Sequence, residues 1–148
     1  MADNNQETVS VELDAMVGGL LGAFLDCLAE GEDPGVVACV EDAASARYEA
    51  VFTDDGEEAC LEAARAYVTS HLKGIPADGI GPLERAAIAY VGCVEIEGAY
   101  EDAILVTFHE NGMDTAYSAY VLVRGIGEGD DLEWCDPEPA GEEPALIA

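Results

Sequence analysis

The stretch Ile104-Leu105-Val106-Thr107-Phe108-His109-Glu110-Asn111-Gly112-Met113-Asp114-Thr115-Ala116-Tyr117-Ser118-Ala119-Tyr120-Val121-Leu122-Val123-Arg124 decides the fold class. Asn-Gly between runs of β-branched and aromatic residues is the strongest short hairpin signal. Both residues tolerate the left-handed backbone that a two-residue turn demands. Ile104, Val106 and Phe108 alternate with Leu105, Thr107 and His109, the period of a strand. A two-residue loop would pair Glu110 with Met113, His109 with Asp114, Thr107 with Ala116 and Val106 with Tyr117. Thr115 to Arg124 is then the returning strand, with Tyr117, Ala119, Val121 and Val123 on one face.

Working outward, Ile88, Tyr90, Gly92, Val94 and Ile96 alternate as a preceding strand, closed by a turn at Gly98-Ala99-Tyr100. Residues 83–91 fit a helical turn begun at Pro82 as well as they fit a strand, and periodicity leaves both open. On the other side, Gly125 to Gly129 reads as a turn, and Leu132 and Trp134 begin a short fourth strand. From Asp136 proline alternates with glutamate, the composition of an extended, solvated tail.

The first half carries helical periods. Leu13, Met16, Val17, Leu20, Phe24 and Leu28 form one stripe behind the N-cap candidate Ser10. Gly18 and Gly22 interrupt it, each costing up to about 1 kcal/mol against alanine unless a close crossing needs them. Asp33-Pro34 has the form of an N-cap followed by proline at the first helical position. Val36, Val37, Val40, Ala44, Tyr48 and Val51 would be the apolar side of that second helix. A third follows, with Asp55 and Glu58 as a capping box and Ala59, Cys60, Ala63, Ala64, Tyr67, Val68, His71 and Leu72 on one side. The expectation is an α+β domain in which about three N-terminal helices pack on one face of a C-terminal antiparallel three- to four-stranded meander. One domain spans 1–148: a frayed terminus at 1–8, a helical half at 9–73, a meander half at 88–135 and an acidic proline-rich tail at 136–148.

Thirty-two acidic residues stand against five basic ones, for a formal charge of −27. Such a chain repels itself, so added salt should stabilise it. Direct nucleic-acid binding needs lysine and arginine to neutralise phosphates, and Arg47, Arg65, Arg85 and Arg124 are scattered singly. The longest apolar run, Ala15 to Leu25, is too short to cross a bilayer. Five cysteines with no CxxC spacing fit reduced thiols and a cytoplasmic setting.

Chemistry-bearing patterns are sparse. His109 opposite Asp114 has the elements of a general base and equally of a cross-strand pair. His71 suits a helix C-terminus. Asp130, Asp131 and Glu133 are a loose candidate for a hard cation. The run Glu30-x-Glu32-x-Pro34-Gly35 with Glu41 resembles a calcium loop but lacks a ligand at Pro34. No cofactor motif is present: neither GxGxxG nor GxxxxGK[ST] occurs, and no family signature is recognised. The leading reading is a small acidic protein-binding module that captures a basic partner, in the manner of an antitoxin, an immunity protein or a nucleic-acid mimic. The alternatives are a globular domain, homodimeric in one version, whose acidity serves solubility alone, and a carboxylate- or divalent-cation-dependent enzyme.

Overall fold

The computed structural model describes residues 10–53 and 56–147. The frayed terminus expected at 1–8 and the capping-box Asp55 lie outside these residues. Among the described residues, two α-helices enclose one antiparallel sheet. Helix α1 (Val11–Ala29) starts where Ser10 Oγ accepts the Leu13 N–H at 3.0 Å. Glu12 and Asp14 stand in its first turn, where the helix dipole favours negative charge. Its stripe of Leu13, Met16, Leu20, Phe24 and Leu28 is fully buried, and each such side chain contributes about 1.5–3 kcal/mol. Helix α2 (Glu57–Ser70) buries Cys60, Ala64 and Val68.

The strands are β1 (Val36–Asp42), β2 (Arg47–Phe52), β3 (Leu83–Ile96), β4 (Ala99–Glu110), β5 (Ala116–Arg124), β6 (Glu133–Trp134) and β7 (Glu138–Glu143). Their order is β2-β1-β3-β4-β5-β6, with β7 also on β5. Strands β6 and β7 run the same way along one edge of β5, β6 at its Val123–Arg124 end and β7 along Ala116–Tyr120. They act as one edge strand broken at residues 135–137.

Helix α1 packs on β3 and β4, and α2 on β1, β2 and β3. They lie on opposite faces. Val37, Cys39, Ala87, Ala89, Ile104, Val106, Val121 and Val123 share a core with α1. Val36, Ala38, Val40, Ala86 and Ile88 share the other with α2.

The expected architecture is therefore corrected: among the described residues there are two helices rather than three, both faces are covered rather than one, and there are seven strands rather than three or four. The expected helix from Pro34 is the β1–β2 hairpin. Asp33 does not cap a helix; its Oδ1 accepts the Gly35 N–H at 2.9 Å. Gly35 then takes φ +79°, where a Cβ would come within 2.7 Å of Thr53 Cγ2. Every residue of β1 is buried. A strand covered on both faces shows a continuous apolar run, with no alternation to mark it. Residues 83–91 are strand throughout. Glu97 and Gly98, both at positive φ, turn β3 into β4. The Asn111-Gly112 hairpin is real, but its register pairs Phe108 with Tyr117 and Val106 with Ala119. That is two residues from the expected pairing, so each side chain keeps its face. The tail is not free chain: it supplies β7, and Leu146 and Ile147 are buried.

Gly18 and Gly22 lie on the outer side of α1, and a Cβ added at either meets nothing within 4 Å. Gly18→Ala and Gly22→Ala should each raise stability by up to about 1 kcal/mol, whereas Leu20→Ala should cost about 2–5 kcal/mol. Urea unfolding of the three variants checks this; a loss at either glycine would mean that something packs on that helix face.

Candidate functional site

Charge inside the protein is organised before charge on its surface. Arg85, in β3, is 4% exposed. Its Nη1 donates to Glu41 Oε1 at 2.8 Å and its Nε to Glu110 Oε2 at 2.9 Å. Glu41 Oε2 accepts from Arg47 Nε at 2.7 Å. Glu110 Oε2 also accepts from Ser10 Oγ at 2.8 Å, so the junction reaches the cap of α1. Burial disfavours the Arg85 cation, but its bonds to Glu110 and Glu41 more than offset this, and its pKa is raised. Buried Arg85 and exposed Arg47 face Glu41 and Glu110, so the buried Arg85 has opposite charges on both sides. Removing one partner of such a pair costs about 3–5 kcal/mol, because a charge is left buried and unpaired.

Asp42 is the neighbouring pin. Its Oδ2 accepts the Gly81 N–H at 2.7 Å, and Oδ1 accepts those of Ala46 and Ala44 at 2.9 Å. The Gly81 bond, then those of Ala46 and Ala44, with the Arg85 charge beyond them, hold its pKa below the ordinary carboxylate value against the opposing effect of burial. Cys39, beside the junction, is pushed up to about 12, chiefly by burial, so its thiol is protonated and unreactive.

Both histidine rings are held by backbone groups. His109 is 1% exposed. Its Nδ1 accepts the N–H groups of Leu146 and Ile147 at 3.2 and 2.9 Å, which fixes the neutral tautomer with the proton on Nε2, 2.9 Å from Met113 O. It anchors the C-terminal segment. Asp114 is exposed, and among the described residues it makes no hydrogen bond or ion pair with His109. The expected His109–Asp114 pairing fails because the five-residue loop moves Ala116, not Asp114, toward the position opposite His109. His71 Nδ1 lies 2.7 Å from Tyr67 O, and its ring packs on Tyr67 at the end of α2. Asp130 and Asp131 lie on the short 3-10 turn Gly129–Asp131 and Glu133 in β6, all exposed. Among the described residues no three His, Cys, Asp or Glu side chains gather in a metal-binding group. Glu41, the last residue of the calcium-loop pattern, is occupied by arginines.

Cavities of about 550 and 280 Å³ lie at the β5–β6 end and beside the β1–β2 hairpin, and the β7 margin carries one on each face. Helix α1 stops short of it on one face and α2 on the other. On the α1 face lies a cavity of about 480 Å³ walled by Phe108, Tyr117, Ala119, Pro137 and Pro139. Glu138 and Glu142 also belong to its lining. On the α2 face a second cavity, about 240 Å³, lies between α2 and β7. The β7 margin was illegible in the sequence because Glu138-Pro139-Ala140-Gly141-Glu142-Glu143 has the composition of solvated chain. It is a strand because β5 offers it an unpaired edge.

Comparison with protein-family models, with curated proteins and with solved structures finds no match. Among the described residues no helix is long and apolar enough to cross a membrane.

Two outcomes test the site. The Asp42 pKa is lowered in the folded state, so its contribution is complete above the unfolded value of about 3.9. It is lost as pH falls through the lower folded value. Asp42→Asn should destabilise the protein at pH 7, and the gap to the parent should shrink as pH falls below about 4; denaturant unfolding at both pH values measures it. His109→Ala should free the C-terminus. Limited proteolysis should then clip residues 144–147 at a rate well above that of the parent, while far-ultraviolet circular dichroism stays close to it.

Proposed function

We propose that this chain is an acidic binding module that captures a basic protein, and that the groove on the α1 face of the β7 margin is where the partner seats. The observation that carries this reading is an apolar groove with carboxylates among its lining, on a chain of formal charge −27. Arg47 and Arg85 are held by Glu41 and Glu110. Arg65 and Arg124 lie 3.9 and 3.4 Å from Glu143 and Glu101. The outward field is therefore left to the excess carboxylates.

Phe108, Tyr117 and the two prolines give a partner apolar contact, and Glu138 and Glu142 give it register and charge complementarity. Aromatic anchors within such a groove supply most of an interface's affinity, while complementary charge supplies steering and selectivity. Tyr117 is 41% exposed, an aromatic ring available for contact. A cytoplasmic setting belongs to this reading, supported by five cysteines of which none is in a disulfide. Direct binding of nucleic acid does not, because the field opposes phosphate.

The free edge of β2, where Val51 is 57% exposed, favours a second reading in which two copies pair edge to edge. A formal net charge of −27 on each copy opposes it. The carboxylate-enzyme reading has no convergent acid–base group among the described residues to support it.

The test is calorimetric titration with a peptide of alternating arginine and leucine. Binding should weaken at least tenfold between 50 and 500 mM salt, and Tyr117→Ser should weaken it about tenfold at either salt. An affinity indifferent to salt, or to Tyr117→Ser, would reject the proposal.

A further inference from the structure

The second cavity lies on the opposite face of the same margin, and its chemistry differs from that of the groove. Ile88 and Leu105 form an apolar floor, and Tyr90 presents a half-buried ring with a phenol. The polar end is Glu143, in β7. Its Oε2 accepts from Ser118 Oγ at 3.1 Å, and its Oε1 lies 3.9 Å from Arg65 Nη2. That last distance is long for a hydrogen bond. Arg65 and Glu143 side chains are 39% and 35% exposed, so the contact is loose and open to competition.

A second carboxylate stands close by. Glu57 Oε1 lies 3.8 Å from where a Cβ on Gly92 would be, beside the Tyr90 ring. The Tyr90 pKa is raised by burial first, then by Glu57 and Glu143, with Arg65 acting the other way. Glu57 belongs to the neighbouring cavity that shares Tyr90, so within this cavity Glu143 is the carboxylate, beside an aromatic ring and an aliphatic floor, and Arg65 its loose counter-charge.

We propose that this cavity receives a basic side chain, a guanidinium or ammonium group on an aliphatic stem, with Glu143 binding the head and Arg65 holding the place until it arrives. The stem lies along Ile88 and Leu105. The head takes charge-assisted hydrogen bonds from its N–H groups to Glu143 and lies against the Tyr90 ring, whose face attracts cations. This inference rests on the reading of the chain as a binder of basic proteins, and it assigns the partner an arginine or lysine at the second face of the β7 margin.

The sign of one substitution separates the idea from its rivals. Arg65 competes with the incoming cation, so Arg65→Ala should tighten binding. Were the cavity an anion site, Arg65 would be the receptor and its loss would weaken binding. The experiment is an NMR titration of the full chain with n-butylguanidinium, and in parallel with n-butyrate, following the Tyr90, Ser118 and Glu143 amides. Butylguanidinium should shift all three and butyrate none. Arg65→Ala should tighten the interaction several-fold, and Glu143→Gln, which keeps the shape and the Ser118 contact, should weaken it about tenfold.

A butyrate response, or weaker butylguanidinium binding in Arg65→Ala, would overturn the assignment. An arginine–leucine peptide run on the same sample distinguishes a partner's side chain from a free amine. The peptide should bind more tightly than butylguanidinium, and Tyr117→Ser should weaken only the peptide. If the peptide binds with its salt dependence intact and butylguanidinium does not bind at all, the cavity proposal falls and the basic-partner reading stands. If neither binds, both fall.

Discussion

The ion-pair junction at Arg85 is the constraint on which the rest depends. It joins β1 through Glu41, β2 through Arg47, β4 through Glu110 and the α1 cap through Ser10. A strand buried on both faces can hold a charge only if that charge is answered at once, since an unpaired buried ion costs several kcal/mol. Placing arginine between two glutamates meets this condition and also fixes the register of three adjacent strands. Asp42 extends the same logic to the chain's own amides. It ties the β1–β2 turn to Gly81 just before β3, so the first hairpin and the long central strand are positioned together.

From that junction follows the division of the surface. Two helices cannot cover both faces of a seven-stranded sheet, and each sits over the strands near the junction. The margin built by β5 and β7 is left with a cavity on either side. The chain closes over one end of it with Leu146 and Ile147, whose amides His109 receives. Glu138 and Glu142 line the cavity on one side of the margin and Glu143 the one on the other, where Arg65 is its loose counter-charge. Apolar walls inside an acidic surround are the physical basis for expecting a basic, apolar-anchored partner.

Much of this was legible in the residues, and the failures have physical causes. The stripe from Leu13 to Leu28 announced α1, and the 57–70 pattern announced α2, because each helix has one wet face. Asn111-Gly112 announced its hairpin, but the loop's length, and hence the pairing of His109, is set by where Ala116 finds cover, which no local signal carries. Val36 to Val40 failed because burial on both faces erases the alternation of a strand. Asp33-Pro34 failed because an aspartate that caps a helix and one that closes a turn on Gly35 have the same sequence. Glu138 to Glu143 failed because its strand conformation belongs to β5's open edge rather than to its own composition. Arg85 could be seen as a lone arginine, but its burial required knowing that Glu41 and Glu110 flank it from neighbouring strands.

The most direct test of the central claim, that the β7 margin is the binding surface, is amide chemical-shift mapping of the complex with a basic, leucine-containing peptide. The account predicts that the largest changes fall on β5, β7 and Phe108, with the outer side of α1 and the tip of the β3–β4 hairpin unmoved, although both carry exposed acids. Changes spread evenly over every acidic face would contradict it, and would leave the charge of this chain as general repulsion and attraction without a site.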